Sequence, residues 1–284
     1  MAIPLVSMGE MQIQAAAIGQ DRMFREDVRV SGDDVLIRPR NNWALFLDLD
    51  GTLIDIAARP DRVVVPAELP GLLEACRLAF GGALAIVSGR TIADLDRLLS
   101  PLRLPVAGEH GGTLRLASDE TGWAPKVPHV PSRWREAMHA FAAEHPGVVV
   151  EDKDLGAAVH YRLAPRHAPF LLELLTGLVA QLPDDFKILQ AKMAYEIQPR
   201  AINKGHAVRT FLAVPPFTGR TPVFIGDDVT DEEGFHAARA VGGLGLSVDG
   251  CFDGSTAAVR AWLGDLLKGK AVVRSSAWRN STSE

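Results

Sequence analysis

The stretch "LFLDLDGTLIDI", residues 45–56, decides how the rest of the chain is read. Leu45, Phe46, Leu47 and Leu49 surround Asp48, and Asp50 follows two residues later. A buried charge is expensive unless it is paired or holds a metal. Residues two apart in a strand share a face, so Asp48 and Asp50 start out pointing the same way. Gly51-Thr52 then lets the chain turn sharply away. The run reads as a strand whose carboxyl end carries two acids. In doubly wound sheets, ligands bind at that end. One aspartate there is most simply a turn residue; two acids wedged into an apolar run are harder to explain that way.

Outward from this strand, short apolar runs alternate with amphipathic stretches. "ALAIVSG", "PVAG", "PVFIGDD" and "GLGLSV" read as strands. "PAELPGLLEACRLAF", "TIADLDRLLS", "NKGHAVRTFLA" and "DEEGFHAARAV" read as helices. Continuous apolar strands between helices imply a sheet covered on both faces, hence an α/β fold with a Rossmann-like parallel sheet. Residues 112–199 differ. "GGTLRLAS", "GVVVEDK", "LGAAVHYRL" and "MAYEIQP" read as strands with hairpin-length gaps, with helices near 131–145 and 166–181. This is an α+β pattern inserted into the α/β one, with crossings at "GEHGG" and "QPRAINKG". The expected organisation is an N-terminal extension over 1–40, a core over 41–111 and 200–270, the insert over 112–199, and a flexible polar tail over 271–284.

Bulk composition bounds the function. The chain has 284 residues, of which 47% are hydrophobic and 23% charged, as expected of a folded globular protein. Its formal net charge of −5 gives no electrostatic reason to expect nucleic acid or an anionic membrane as partner. Two cysteines, Cys76 and Cys251, are too few for a disulfide framework and point to a reducing compartment. No apolar run reaches the length of a membrane span, and the first residues lack the pattern of a secretory signal. A cytoplasmic monomer is expected.

Two further strand ends carry chemistry. One ends in Ser88-Gly89-Arg90, the other in Asp227-Asp228, followed by a helix start containing Asp231. Asp48, Asp50 and Asp227 could converge on one point. Crowded carboxylates repel one another, and a hard divalent cation such as Mg²⁺ removes that penalty. Lys204, at a helix start, is placed to neutralise a bound phosphoryl group.

In chain order, "DLDGT", "SGR", "NKG" and "GDDVTDE" resemble the four motifs of the haloacid dehalogenase-like phosphatases. "GEHGG", "VEDKDLGAAVHYR", "AKMAYEIQPRAINKG" and "GRTPVFIGDDVTDEEGF" resemble stretches of the trehalose-6-phosphate phosphatase family. The resemblance runs from about Trp43 to Leu266. It implies a haloacid dehalogenase-like core and a Mg²⁺-dependent phosphatase of trehalose biosynthesis, acting on a small-molecule sugar phosphate. By this resemblance Asp48 is the nucleophile that becomes an aspartyl-phosphate, and Asp50 is the acid and then the base. Mg²⁺ is held by Asp48, the Asp50 backbone carbonyl and Asp227, with Asp228 and Asp231 acting around it. Ser88 and Lys204 grip the phosphoryl oxygens. The insert is a cap that closes over the sugar, contacted through Glu151, Lys153 and Glu196. His110 is expected either to line the hinge or to satisfy a local backbone bond, and His160-Tyr161-Arg162 to be cap structure. The family usually has a basic residue where this chain has Gln198.

Three other readings are set against this one. The core also serves phosphatases of other sugar phosphates and phosphomutases. A phospho-accepting signalling module needs neither a cap nor an acid two residues past its nucleophile. A silent binding domain predicts a lost motif residue, and none is missing.

Overall fold

The computed structural model describes residues 28–31, 34–37, 42–57, 59, 62–119, 122, 127–191, 193–271 and 273–274. Strands β1 (Val28–Ser31) and β2 (Asp34–Ile37) precede the apolar strand β3 (Trp43–Leu47). Helix α1 (Leu69–Ala79), strand β4 (Leu84–Val87), helix α2 (Ile92–Leu99) and strands β5 (Val106–Gly108) and β6 (Thr113–Arg115) follow. Next come α3 (Ser132–Glu144), β7 (Val149–Asp152), β8 (Ala157–His160), α4 (Ala168–Val179), β9 (Phe186–Ala191) and β10 (Ala194–Pro199). The chain returns through α5 (Lys204–Leu212), β11 (Thr221–Gly226), α6 (Glu232–Ala240), β12 (Leu244–Ser247), α7 (Val248–Cys251), α8 (Thr256–Leu267) and β13 (Val273–Arg274).

Strand β3 lies inside a six-stranded sheet of order β12-β11-β3-β4-β5-β6. All neighbours pair in parallel except β5 and β6. This is the expected α/β architecture, and it explains the uninterrupted apolar run. Leu45 and Leu47 pack on one face of the sheet with Leu73 of α1 and Leu263 of α8. Ala44 and Phe46 pack on the other with Phe211 of α5 and Phe235 of α6. Each of these side chains is essentially solvent-free. Burying a Leu or Phe contributes roughly 1.5–3 kcal/mol, so β3 has apolar reasons to be central on both sides.

The second sheet, β7-β8-β10-β9, is antiparallel. One face carries Val150, Val159, Tyr195 and Ile197 against Trp134 and Met138 of α3 and Leu171 and Leu175 of α4. On the other face Glu151 stands opposite Ala158, which stands opposite Glu196. Directly paired residues share a face, so the two glutamates project together. The period-2 alternation puts polar and small residues on one side and core residues on the other.

Two sequence expectations are corrected. Thr113–Arg115, expected to open the insert, instead completes the main sheet as an antiparallel edge strand. The chain doubles back within four residues of β5, so a hairpin is the shortest way to pair those backbone groups. Val273–Arg274, expected in the flexible tail, pairs antiparallel with β2 in a three-stranded sheet β1-β2-β13. Backbone pairing there needs no apolar side chain, which is why composition alone hid it. The remainder of the expected extension and tail falls largely outside the described residues. No helix among the described residues is long and apolar enough to cross a membrane.

Candidate active site

Three parallel strands deliver the site from their carboxyl ends. Asp48 follows β3, Ser88 follows β4 and Asp227 follows β11. The backbone N–H of Asp48 donates to Ile225 at 2.9 Å and that of Ser88 to Ala107 at 2.9 Å, so both sit where the sheet's hydrogen-bond pattern continues. β4 and β11 flank β3 on opposite sides, which places the acids at the point where the strand order diverges.

Asp48, Asp227 and Asp231 bring carboxylate oxygens within 4.8 Å of one another. Lys204, at the start of α5, donates to Asp48 Oδ1 at 2.8 Å and to Asp231 Oδ1 at 2.6 Å. Thr52 Oγ1 donates to Asp48 Oδ2 at 3.2 Å. Burial pushes the Asp48 carboxyl well above the usual range; Lys204 opposes this, and Asp231 and Asp227 reinforce it. Burial also works to neutralise Lys204, but Asp231 and Asp48 outweigh it and hold the ammonium charged. One ammonium against three carboxylates leaves two formal negative charges in excess. An all-oxygen set with that excess suits a hard divalent cation.

Asp231 is not available as an open ligand. Its Oδ1 accepts from Lys204, and its Oδ2 accepts the backbone N–H groups of Asp227 at 3.1 Å and Asp228 at 3.0 Å. It is fully buried and locks the loop after β11. Asp228 turns its Oδ1 to the Val229 N–H at 2.7 Å and caps the short turn that follows. Asp48 and Asp227 are left facing the open side, with Asp231 behind them.

A cleft of about 170 Å³ separates these acids from the four-stranded sheet. Asp50, Ser88, Lys153 and Glu196 line it, together with Glu151. Lys153 Nζ donates to Glu196 Oε2 at 2.6 Å. Burial works against the charge of Glu196, but Lys153 and His110 hold its carboxyl well below the usual range. An ionised carboxylate only accepts, so the His110 Nε2 at 3.3 Å donates to it. Burial pushes the His110 ring toward its neutral form, against Glu196. His110 thus touches a side chain of the insert, the hinge-lining option of the two expected. Glu151 accepts from His160 at 2.8 Å.

His160 and Arg162, expected to be structural, both line the cleft, while Tyr161 between them is buried in the insert core. The available signal was their spacing of two, which continues past the end of β8 the alternation that turns Ala158 and His160 to one face. Glu109, unremarked in the sequence, accepts the backbone N–H groups of Asp154 at 2.7 Å and Leu155 at 2.8 Å. Gln198 is buried and donates to the Ile202 carbonyl at 3.2 Å, bracing the turn that leads to Lys204.

The trehalose-phosphatase family model matches residues 46–261. The chain belongs to the trehalose-phosphatase family. It is therefore an enzyme of the phosphatase class. It is 43% identical over 210 residues to a probable trehalose-phosphate phosphatase of Sinorhizobium fredii, covering 73% of this chain and 78% of that one. It is 39% identical over 210 residues to the trehalose-6-phosphate phosphatase of Escherichia coli, covering 72% and 77%. The C-terminal domain of the Candida albicans trehalose-6-phosphate phosphatase superposes with a TM-score of 0.69 at 18% identity, covering 80% and 92%, and shares the fold.

Proposed function

We propose that this family member hydrolyses trehalose 6-phosphate to trehalose and phosphate, with Mg²⁺ bound, through an aspartyl-phosphate on Asp48. The observation that carries this reading is the buried Asp48–Lys204–Asp231 cluster facing the polar row of Glu151 and Glu196 across one cleft. A phosphoryl group fits the charged floor, and a polyol fits the row of donors and acceptors above it. Both named relatives carry the same activity in their names.

Asp48 attacks phosphorus from the floor of the cleft, and its new bond forms as the bond to the sugar oxygen breaks. Asp50 gives its proton to that oxygen, then takes one from the water that releases phosphate from Asp48. Ser88, solvent-free at the end of β4, and Lys204 hold phosphoryl oxygens. Mg²⁺ would be held by the Asp48 and Asp227 carboxylates with the Asp50 carbonyl, and it supplies charge neutralisation for the transferring group. Asp231 and Asp228 fix the loop that presents Asp227. The four-stranded sheet is the cap: Glu151, Lys153 and Glu196 orient the sugar, and closure excludes water.

The test is phosphate release over a panel of sugar phosphates, with and without Mg²⁺. Trehalose 6-phosphate is expected to be the best substrate, and chelation to abolish turnover. A clearly better sugar phosphate would overturn the substrate reading. Asp48→Asn is expected to abolish release; substantial remaining turnover would sink the nucleophile.

A further inference from the structure

Arg90 was part of a sequence motif but received no role. Its Nε–H donates to Asp50 Oδ2 at 2.6 Å and its Nη2–H to Asp50 Oδ1 at 2.7 Å. A planar guanidinium fork against a planar carboxylate fixes orientation as well as distance. Arg90 is the anchored member of the pair, its side chain 9% exposed against 31% for Asp50. Its backbone N–H donates to Ser88 Oγ at 3.3 Å, and its carbonyl accepts the Glu109 N–H at 2.9 Å. The loop after β4 and the turn after β5 therefore hold it from two sides. Arg90 lines the same cleft as Asp50, Glu151 and Glu196.

We propose that Arg90 is a positioning residue that sets the plane of the Asp50 carboxylate and the oxygen it presents to the leaving group. This rests on the reading of Asp48 and Asp50 given above. In the first half-reaction the Asp48 oxygen–phosphorus bond forms, the phosphorus–sugar oxygen bond breaks, and the Asp50 proton passes to the sugar oxygen. In the second, a water oxygen attacks phosphorus, its proton passes to Asp50, and the Asp48–phosphorus bond breaks. Asp50 must meet two different oxygens in turn, and a carboxylate free to rotate meets neither well. Removing Arg90 leaves the nucleophile and the phosphate grip in place and degrades proton transfer.

The experiment compares wild type, Arg90→Gln, Arg90→Lys, Asp50→Asn and the Arg90→Gln/Asp50→Asn pair. The substrates are trehalose 6-phosphate and p-nitrophenyl phosphate, whose leaving group needs no proton. Arg90→Gln is expected to lower kcat on trehalose 6-phosphate roughly 100-fold, a typical share for acid–base catalysis. KM is expected to stay within about threefold. On p-nitrophenyl phosphate the first-turnover burst persists while the steady-state rate falls. Adding Arg90→Gln to Asp50→Asn is expected to cost less than about threefold more, because both act on one step. Arg90→Lys, which keeps the charge without the fork, recovers only part of the loss. A burst that falls as much as the steady-state rate, a change confined to KM, or full additivity in the pair would overturn the proposal. Wild-type turnover of trehalose 6-phosphate reports the substrate reading separately. If that fails, the burst and the double-variant cycle on p-nitrophenyl phosphate still decide the role of Arg90.

Discussion

At the scale of single residues, Gly51 shows how little room the site leaves. Its φ of +79° lies in the left-handed region, and a Cβ there would collide with the Asp227 carboxylate. Gly51→Ala is expected to cost about 1–2 kcal/mol of stability from backbone strain. Because Asp227 must move, turnover is expected to fall at least about tenfold, as a misplaced charged group costs that much in transition-state positioning. Denaturant unfolding and steady-state kinetics measure the two effects separately. Glu196→Ala tests the other wall of the cleft. It is expected to cut turnover of trehalose 6-phosphate far more than that of a small aryl phosphate; equal losses would mean that Glu196 does not read the sugar. The acids after β3 and β11 and the lysine that opens α5 were legible because strand and helix boundaries mark them. The motif named Arg90 but not its role, because its partner lies 40 residues away. Asp231 was expected to act around the metal from its place at a helix start, and that place did not reveal it as the fully buried anchor of its loop.

At the scale of elements, alternation in the antiparallel sheet was readable, and it put Glu151 and Lys153 toward a common site. Strand β6 was misplaced because three residues of alternating pattern do not say which sheet they join. What fixes β6 is Arg115, almost fully buried, donating to the Leu104 carbonyl at 3.0 and 3.1 Å and to both Asp96 oxygens at 2.6 and 2.7 Å. The Arg115 hydrogen bonds hold the Asp96 carboxyl below its usual range, against partial burial. A depressed carboxylate stabilises the fold above its ordinary pKa and loses that contribution as acid protonates it. Asp96→Asn is therefore expected to cost about 1 kcal/mol near neutral pH, the lower range for a charged hydrogen bond at a partly exposed site. The gap from wild type is expected to close as pH falls below about 4. Urea unfolding of both proteins across that window checks it; a gap that does not vary with pH would remove Asp96 as the cause.

At the scale of the whole molecule, the core and the four-stranded sheet are joined by polar contacts that need no substrate. Glu109 is central to them: its carboxylate takes two consecutive backbone N–H groups from the turn between β7 and β8. Glu109→Ala is expected to speed hydrogen exchange at the Asp154 and Leu155 amides at least about tenfold, as each loses its acceptor. Amides of β3 are expected to be unchanged; faster exchange there as well would mean general destabilisation rather than a loosened clasp.

The floor of the cleft has a consequence for how the protein comes into being. Lys204 meets Asp48 across 156 positions of chain, and Thr52 reaches Asp227 across 175. Between them lies a unit with its own apolar core, rich in local pairing. Contacts close in sequence form sooner than those that must close long loops. Diluted from denaturant, the chain is therefore expected to regain far-ultraviolet circular dichroism well before it regains turnover. Catalytic competence would be the last property to arrive, since it waits on the meeting of the two ends of a long detour.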